Sequence, residues 1–134
     1  MNSSVEAFNA LIKRGRDFLN SARANLERGL YDIACFEADQ AVQLVLKAHI
    51  QRLGVSVPRT HSIRRLLGHL GSLTGKGDEV SDFVSRLRGE LITLEDAYLR
   101  SRYAMEGYVK EDAELFIRVA EEVIEFVESI IEGC

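Results

Sequence analysis

YDIACFEADQAVQLVLKAHIQRL, Tyr31 to Leu53, decides the fold. Its apolar residues include Ile33, Ala34, Phe36, Ala38, Ala41, Val42, Leu44, Val45, Leu46 and Ile50. They cover most of a helical circumference and show no strand-like alternation. A helix apolar nearly all round lies in the middle of a bundle or under an oligomer partner. Phe36, Leu44 and Val45 together are more than one small bundle covers easily, which predicts a homodimer. Ala34, Ala38 and Ala41 allow a neighbouring helix close approach. Asp32, Asp39, Gln40 and Lys47 interrupt the apolar surface.

Upstream, Phe8, Leu11, Ile12, Phe18, Leu19, Ala22 and Leu26 recur in steps of three and four, predicting a helix from Val5 to Leu26. Gly29 stops it, and so short a break implies an antiparallel neighbour. Downstream, Gly54 to Thr60 is a connector containing Pro58. A short helix follows from Ser62 or Ile63 to about Leu70, capped by Thr60 or Ser62. GSLTGKGDE, Gly71 to Glu79, holds three glycines and is expected to be a solvated loop. It lacks the phosphate-loop spacing and does not follow a strand. Val80, Phe83, Val84, Leu87, Leu91, Leu94 and Tyr98 mark a helix from about Glu79 to Tyr98 or into the arginines beyond, with Gly89 as a possible bend. After a loop from Tyr103 to Tyr108, the last helix opens on Glu111, Asp112 and Glu114, where negative charge complements the helix dipole. It runs through Phe116, Ile117, Ala120, Val123, Ile124 and Val127 to Ile131. The predicted architecture is an all-α, up-and-down helical bundle of four long helices and one short one, a single domain over residues 1–134.

The net charge of −4 argues against a general nucleic-acid coat, which needs many Lys and Arg contacts to phosphate, and leaves room for a local basic site. Arg outnumbers Lys, and Asn and Gln are scarce, a bias that fits a thermophilic source. Cys35 lies in an apolar helical run and Cys134 is the last residue. With no Cys-x-x-Cys pair, both are expected as reduced thiols. MNSSVEAFNALIKRGRDF has no long apolar run and does not read as a signal peptide. No apolar stretch is long enough to span a membrane, so a cytoplasmic location is expected.

Few residues suggest chemistry. His49, His61 and His69 have no helical ligand spacing, so no metal or cofactor is expected, and His49 is expected on a helix surface. Glu114, Glu121, Glu125 and Glu128 fall on the polar face of the last helix. The remaining cluster is Tyr98, Arg100, Arg102 and Tyr103. Two readings fit it. Cationic side chains complement a helix C-terminus, and Arg102 is within reach of Glu106 or Glu111. Alternatively the guanidiniums hold a phosphate bidentately while Tyr103 stacks on a base or ribose. His61, in the turn before the short helix, and Lys47, on the second helix, are the companions for such a site.

The run Tyr31–Ala41 continuing to Leu46-Lys47, Thr60-His61-Ser62-Ile63, and Tyr98 followed by Arg100-Ser101-Arg102-Tyr103 resemble HEPN domains in order and spacing over nearly the whole chain. The resemblance implies a helical, usually homodimeric protein, often paired with a minimal nucleotidyltransferase in two-component or toxin–antitoxin systems. Some HEPN proteins are metal-independent ribonucleases carrying an Arg, a polar residue and, a few positions on, a His. Here Tyr103, Ala104, Met105, Glu106, Gly107 and Tyr108 follow Arg102, with no His. The similarity is to the Arg-x-Arg-Tyr branch, with Ala104 where Pro is common. It implies a non-catalytic module binding a nucleotide or RNA through Arg100, Arg102, Tyr103, Tyr98, His61 and Lys47. A ribonuclease using His61 and a structural antitoxin or scaffold are the alternatives.

Overall fold

The computed structural model describes residues 2–132. Among these are six α-helices and no strand: α1 (Asn2–Glu27), α2 (Tyr31–Arg52), α3 (Ile63–Thr74), α4 (Gly77–Arg86), α5 (Arg88–Tyr103) and α6 (Lys110–Glu132). The all-α class is as the apolar periodicities predict, with one helix more. The helix expected from Glu79 to Tyr98 breaks at Leu87, whose φ of −112° and ψ of 20° leave the helical well. Gly89, the expected bend, lies within α5. Leu87 is nonetheless buried, and it serves both helices. Its N–H donates to the Phe83 carbonyl, and its own carbonyl accepts from the Leu91 N–H. The break frees α4 to lay Phe83 parallel to Phe126 of α6, with centroids 4.1 Å apart. Leu91, Leu94 and Ala97 of α5 meanwhile enter the core.

α2 is the central element and packs against α1, α3, α5 and α6. This placement explains its nearly continuous apolar circumference, and it alters two expectations. Val45 is buried within the single chain, and Phe36 and Leu44 are half-buried, so the apolar excess of α2 is largely met without a second subunit. His49 is buried rather than on a helix surface. α1 spans 26 residues, long enough to lie along all of α2, and sets Phe8 edge-on against the imidazole at 5.1 Å. Burial lowers the pKa of His49, favouring the neutral ring. The helices approach closely at Gly15, where a Cβ would stand 2.9 Å from Val45 Cγ2 and 3.3 Å from the Ala41 carbonyl oxygen.

α1, α2 and α3 each end on a glycine with positive φ, namely Gly29, Gly54 and Gly75. The expected loop Gly71–Glu79 contracts to Gly75-Lys76. Gly71 is not a loop residue. It is buried in α3, where a Cβ would meet Val80 Cγ2 at 2.9 Å. The Lys76 N–H returns to the Gly71 carbonyl at 2.9 Å and closes the helix end. One core of buried apolar side chains runs through all six helices. Cys35 lies in it as a free thiol, while Cys134 is outside the described residues. Among the described residues no helix is long and apolar enough to cross a membrane.

Candidate functional site

The last turn of α5 carries Tyr98, Arg100, Arg102 and Tyr103. Two of its side chains bond back onto carbonyls one turn earlier in the helix. The Ser101 hydroxyl donates to the Ala97 carbonyl, and Arg102 Nε donates to the Tyr98 carbonyl at 2.7 Å. The chain leaves the helix at Ala104, in extended conformation.

The Arg102 guanidinium lies against three rings. Its carbon is 4.1 Å from the centroid of Tyr98, 4.9 Å from Tyr103 and 5.7 Å from Phe36 of α2. Such contacts hold the cation over the faces of the rings. The terminal Nη atoms make no hydrogen bond or ion pair among the described residues, and Arg102 is exposed. Neither Glu106 nor Glu111 bridges to it, so the carboxylate seam considered from the sequence does not form. Arg102 is thus oriented by ring faces and by its Nε bond, while its two Nη groups stay free among the described residues for an oxyanion contact.

His61 joins this group. Its ring sits 3.8 Å from that of Tyr98, tilted by 42°. Burial, then the charges of Lys47 and Arg102, push its pKa below the usual value, so it is neutral near pH 7. The turn carrying it is fixed by Thr60 Oγ1, which accepts from the Ser62 N–H at 3.0 Å, and by Gln43 Nε2, which donates to the His61 carbonyl at 2.8 Å. Lys47 stands on the same side of α2 without an ion-pair partner among the described residues, and its field reaches both His61 and Asp39. Tyr98, Arg102, Tyr103, His61 and Lys47 therefore form one neighbourhood.

Arg100 is held apart from it. Residues two apart on a helix point in nearly opposite directions. The Arg100 guanidinium lies 5.5 Å from the ring of Tyr108 and lines a shallow depression with Asp96, Leu99, Tyr103 and Ala104. Tyr103 borders both sides. The Tyr108 hydroxyl is buried without a partner, and burial pushes its pKa up to about 12. The Tyr108 N–H donates to Asp32 at 2.6 Å, so Asp32 anchors this loop. A more enclosed depression lies elsewhere, among Ser3, Phe8, Ala48 and Arg52, but it gathers a single cation, so the aromatic-backed cluster on α5 is the better candidate site.

Two acidic residues support the site from behind. Glu95 of α5 accepts from Ser62 Oγ at 3.2 Å, from the Arg64 N–H at 2.9 Å and from the Arg64 guanidinium at 3.1 and 3.2 Å, closing the start of α3. Its signal in the sequence is position alone: it follows Leu91 and Leu94 at the edge of the core stripe. Asp39 is fully buried and accepts from Gln43 at 3.2 Å and Gln40 at 3.4 Å. Desolvation pushes its pKa up to about 7, opposed by those two amides and by Lys47 and reinforced by Glu95. Among the described residues no group of three His, Cys, Asp or Glu side chains is arranged to hold a metal ion.

The HEPN domain family model matches residues 8–130. Among solved structures the chain is similar to TT1696 from Thermus thermophilus, with 25% identity, a TM-score of 0.72, and coverage of 92% of this chain and 97% of that one. It shares its fold with ST0689, an archaeal HEPN homologue, at 22% identity and a TM-score of 0.65, over 91% of this chain and 95% of that one. No curated protein matches it.

Proposed function

This chain belongs to the HEPN domain family, and from that premise we propose that it is a non-catalytic module that binds the phosphate of a nucleotide or RNA end at Arg102. The observation carrying this reading is the guanidinium held over the rings of Tyr98 and Tyr103 with its Nη groups unengaged among the described residues. Lys47 adds a second cation and His61 a neutral ring to this neighbourhood, and Tyr103, 72% exposed, is the ring available to a base. Arg100, on the other side of α5, adds long-range attraction rather than a second grip on the same phosphate.

In this reading the protein works as a homodimer with a minimal nucleotidyltransferase, in a two-component system of the toxin–antitoxin type. Support for a dimer comes from the exposed Leu99, Tyr103, Met105 and Val109 around the end of α5, not from α2. Calorimetric titration with ATP, GTP and short RNA tests the binding claim. The expected result is a loss of about tenfold or more in affinity for Arg102→Ala, about 1.4 kcal/mol, and a smaller loss for Arg100→Ala. Wild-type protein that releases no heat with any of these ligands, or Arg102→Ala protein that binds as well, contradicts it. Co-purification with a nucleotidyltransferase subunit tests the partner.

One observation favours a second reading. His61 and Arg102 meet at the same ring, and His61 is neutral near pH 7, as a general base must be. A metal-independent ribonuclease would use His61 to take the ribose hydroxyl proton and Arg102 to hold the scissile phosphate. RNA cleavage abolished by both His61→Ala and Arg102→Ala would establish it, and absence of cleavage by wild type would remove it.

A further inference from the structure

Asp39 is the only carboxyl group in the fully buried interior of the described residues, and no cation pairs with it. It is also physically tied to the candidate site. Gln43 Nε2 donates both to Asp39 and to the carbonyl of His61, so one amide bridges the buried acid and the turn bearing the imidazole. Gln43 Oε1 is buried with no partner. Turning the amide over would aim that oxygen at the His61 carbonyl, acceptor against acceptor, so the bridge has one workable orientation.

The charges acting on this unit are few. Lys47, on the same helix, and Glu95, from α5, act on Asp39. Lys47 and Arg102 act on His61. From the elements packed on α2, the loop before α3 presents the Gln43-bonded His61 carbonyl, and α5 presents Glu95. The anion-attracting cluster therefore has a buried acid beside it, linked to it through Gln43 and Lys47 and sealed from solvent.

We propose that Asp39 is a proton-operated control on anion occupancy of the Lys47–His61–Arg102 cluster. Neutral Asp39 leaves the cluster its full positive field. Ionised Asp39 offsets part of it and weakens the hold on an anion. The coupling is reciprocal: an arriving anion favours the neutral acid, so binding takes up a proton. Because burial sets Asp39 near pH 7, the change falls in a range cells occupy. His61 gains its proton only at lower pH, which adds a separate, second strengthening. Affinity thus rises as pH falls through about 7 and rises again further down. This inference rests on the anion-site reading.

Sulfate is a suitable probe, since it stays a dianion throughout the range used. Its affinity for the full chain is measured by calorimetry from about pH 5.5 to about pH 8.5, where one unit of pKa coupling equals about a tenfold change. Wild type is expected to bind about tenfold more tightly below the Asp39 transition than above it. Asp39→Asn should bind tightly on both sides, without that step. His61→Gln should keep the step and lose only the strengthening at lower pH. An unchanged step in Asp39→Asn overturns the proposal. Carbon-13 titration of the Asp39 carboxyl in wild type, with and without saturating sulfate, gives an answer that does not depend on the variant folding. Sulfate is expected to raise the midpoint by about one unit, and an unmoved midpoint overturns the coupling. Sulfate binding absent at every pH, or unaffected by Arg102→Ala, overturns the anion site itself and this inference with it.

Discussion

Asp39 bears on stability as well as on ligands. Its pKa is raised in the fold above the ordinary carboxylate value, so the folded chain holds this proton more tightly than the unfolded chain. The associated stability is fully present below the unfolded value and is lost as pH rises to about 7. Asp39→Asn, which cannot ionise, is expected to flatten this dependence and to be more stable than wild type at alkaline pH by about 1–3 kcal/mol. Urea unfolding across that pH range measures it, and a variant less stable than wild type on the alkaline side contradicts it. At this scale the sequence was only partly legible. Tyr98, Arg102 and Tyr103 are legible as a cluster at a helix end, Lys47 as a break in an apolar surface and His61 as a turn residue, and the fold gathers them. Asp39 also stood out, but its burial depends on α3 and α5 closing over α2, which no local pattern records. Phe36 looked like core and lies at the edge of the Arg102 stack.

Helix boundaries show what periodicity captures and what it misses. α1, α2 and α6 were legible because each keeps a long apolar stripe and its limits carry stop or start residues. The α4–α5 break was not, because Leu87 is as apolar as any stripe residue and is buried like them, so only its backbone angles reveal the interruption. Gly71 misled for the opposite reason: glycine suggests a loop, yet here it makes room for Val80. Two predictions belong to elements. Gly15→Ala should destabilise by about 1–3 kcal/mol despite a better helix propensity, because the new Cβ meets a stiff valine methyl and a backbone oxygen. Thermal unfolding with no loss of midpoint would show that α1 can shift away freely. Glu95→Ala should cost about 1–3 kcal/mol, since the Arg64 N–H and guanidinium and the Ser62 hydroxyl lose their acceptor together. Hydrogen exchange should then quicken first at the start of α3, and uniform quickening across the chain would argue against a local role.

For the whole molecule, the shared core makes stability a property of all six helices at once. Phe116, 1% exposed, packs edge-on against Tyr108 at 5.2 Å and so ties the loop beneath Arg100 to the core. Phe116→Ala is expected to cost about 3–5 kcal/mol in denaturant unfolding. A loss below about 1 kcal/mol would mean that the interior collapses around the gap. The oligomer is tested at the same scale. Met105 is fully exposed, so Met105→Asp should leave the unfolding midpoint of the subunit in place while light scattering shifts from dimer to monomer. A wild-type monomer at micromolar concentration would instead remove the homodimer from the proposed function. Finally, the rotation that sends Arg100 and Arg102 to opposite sides of one helical turn separates their fates. A substitution beside one guanidinium can therefore change what it meets while leaving the other's surroundings as they are.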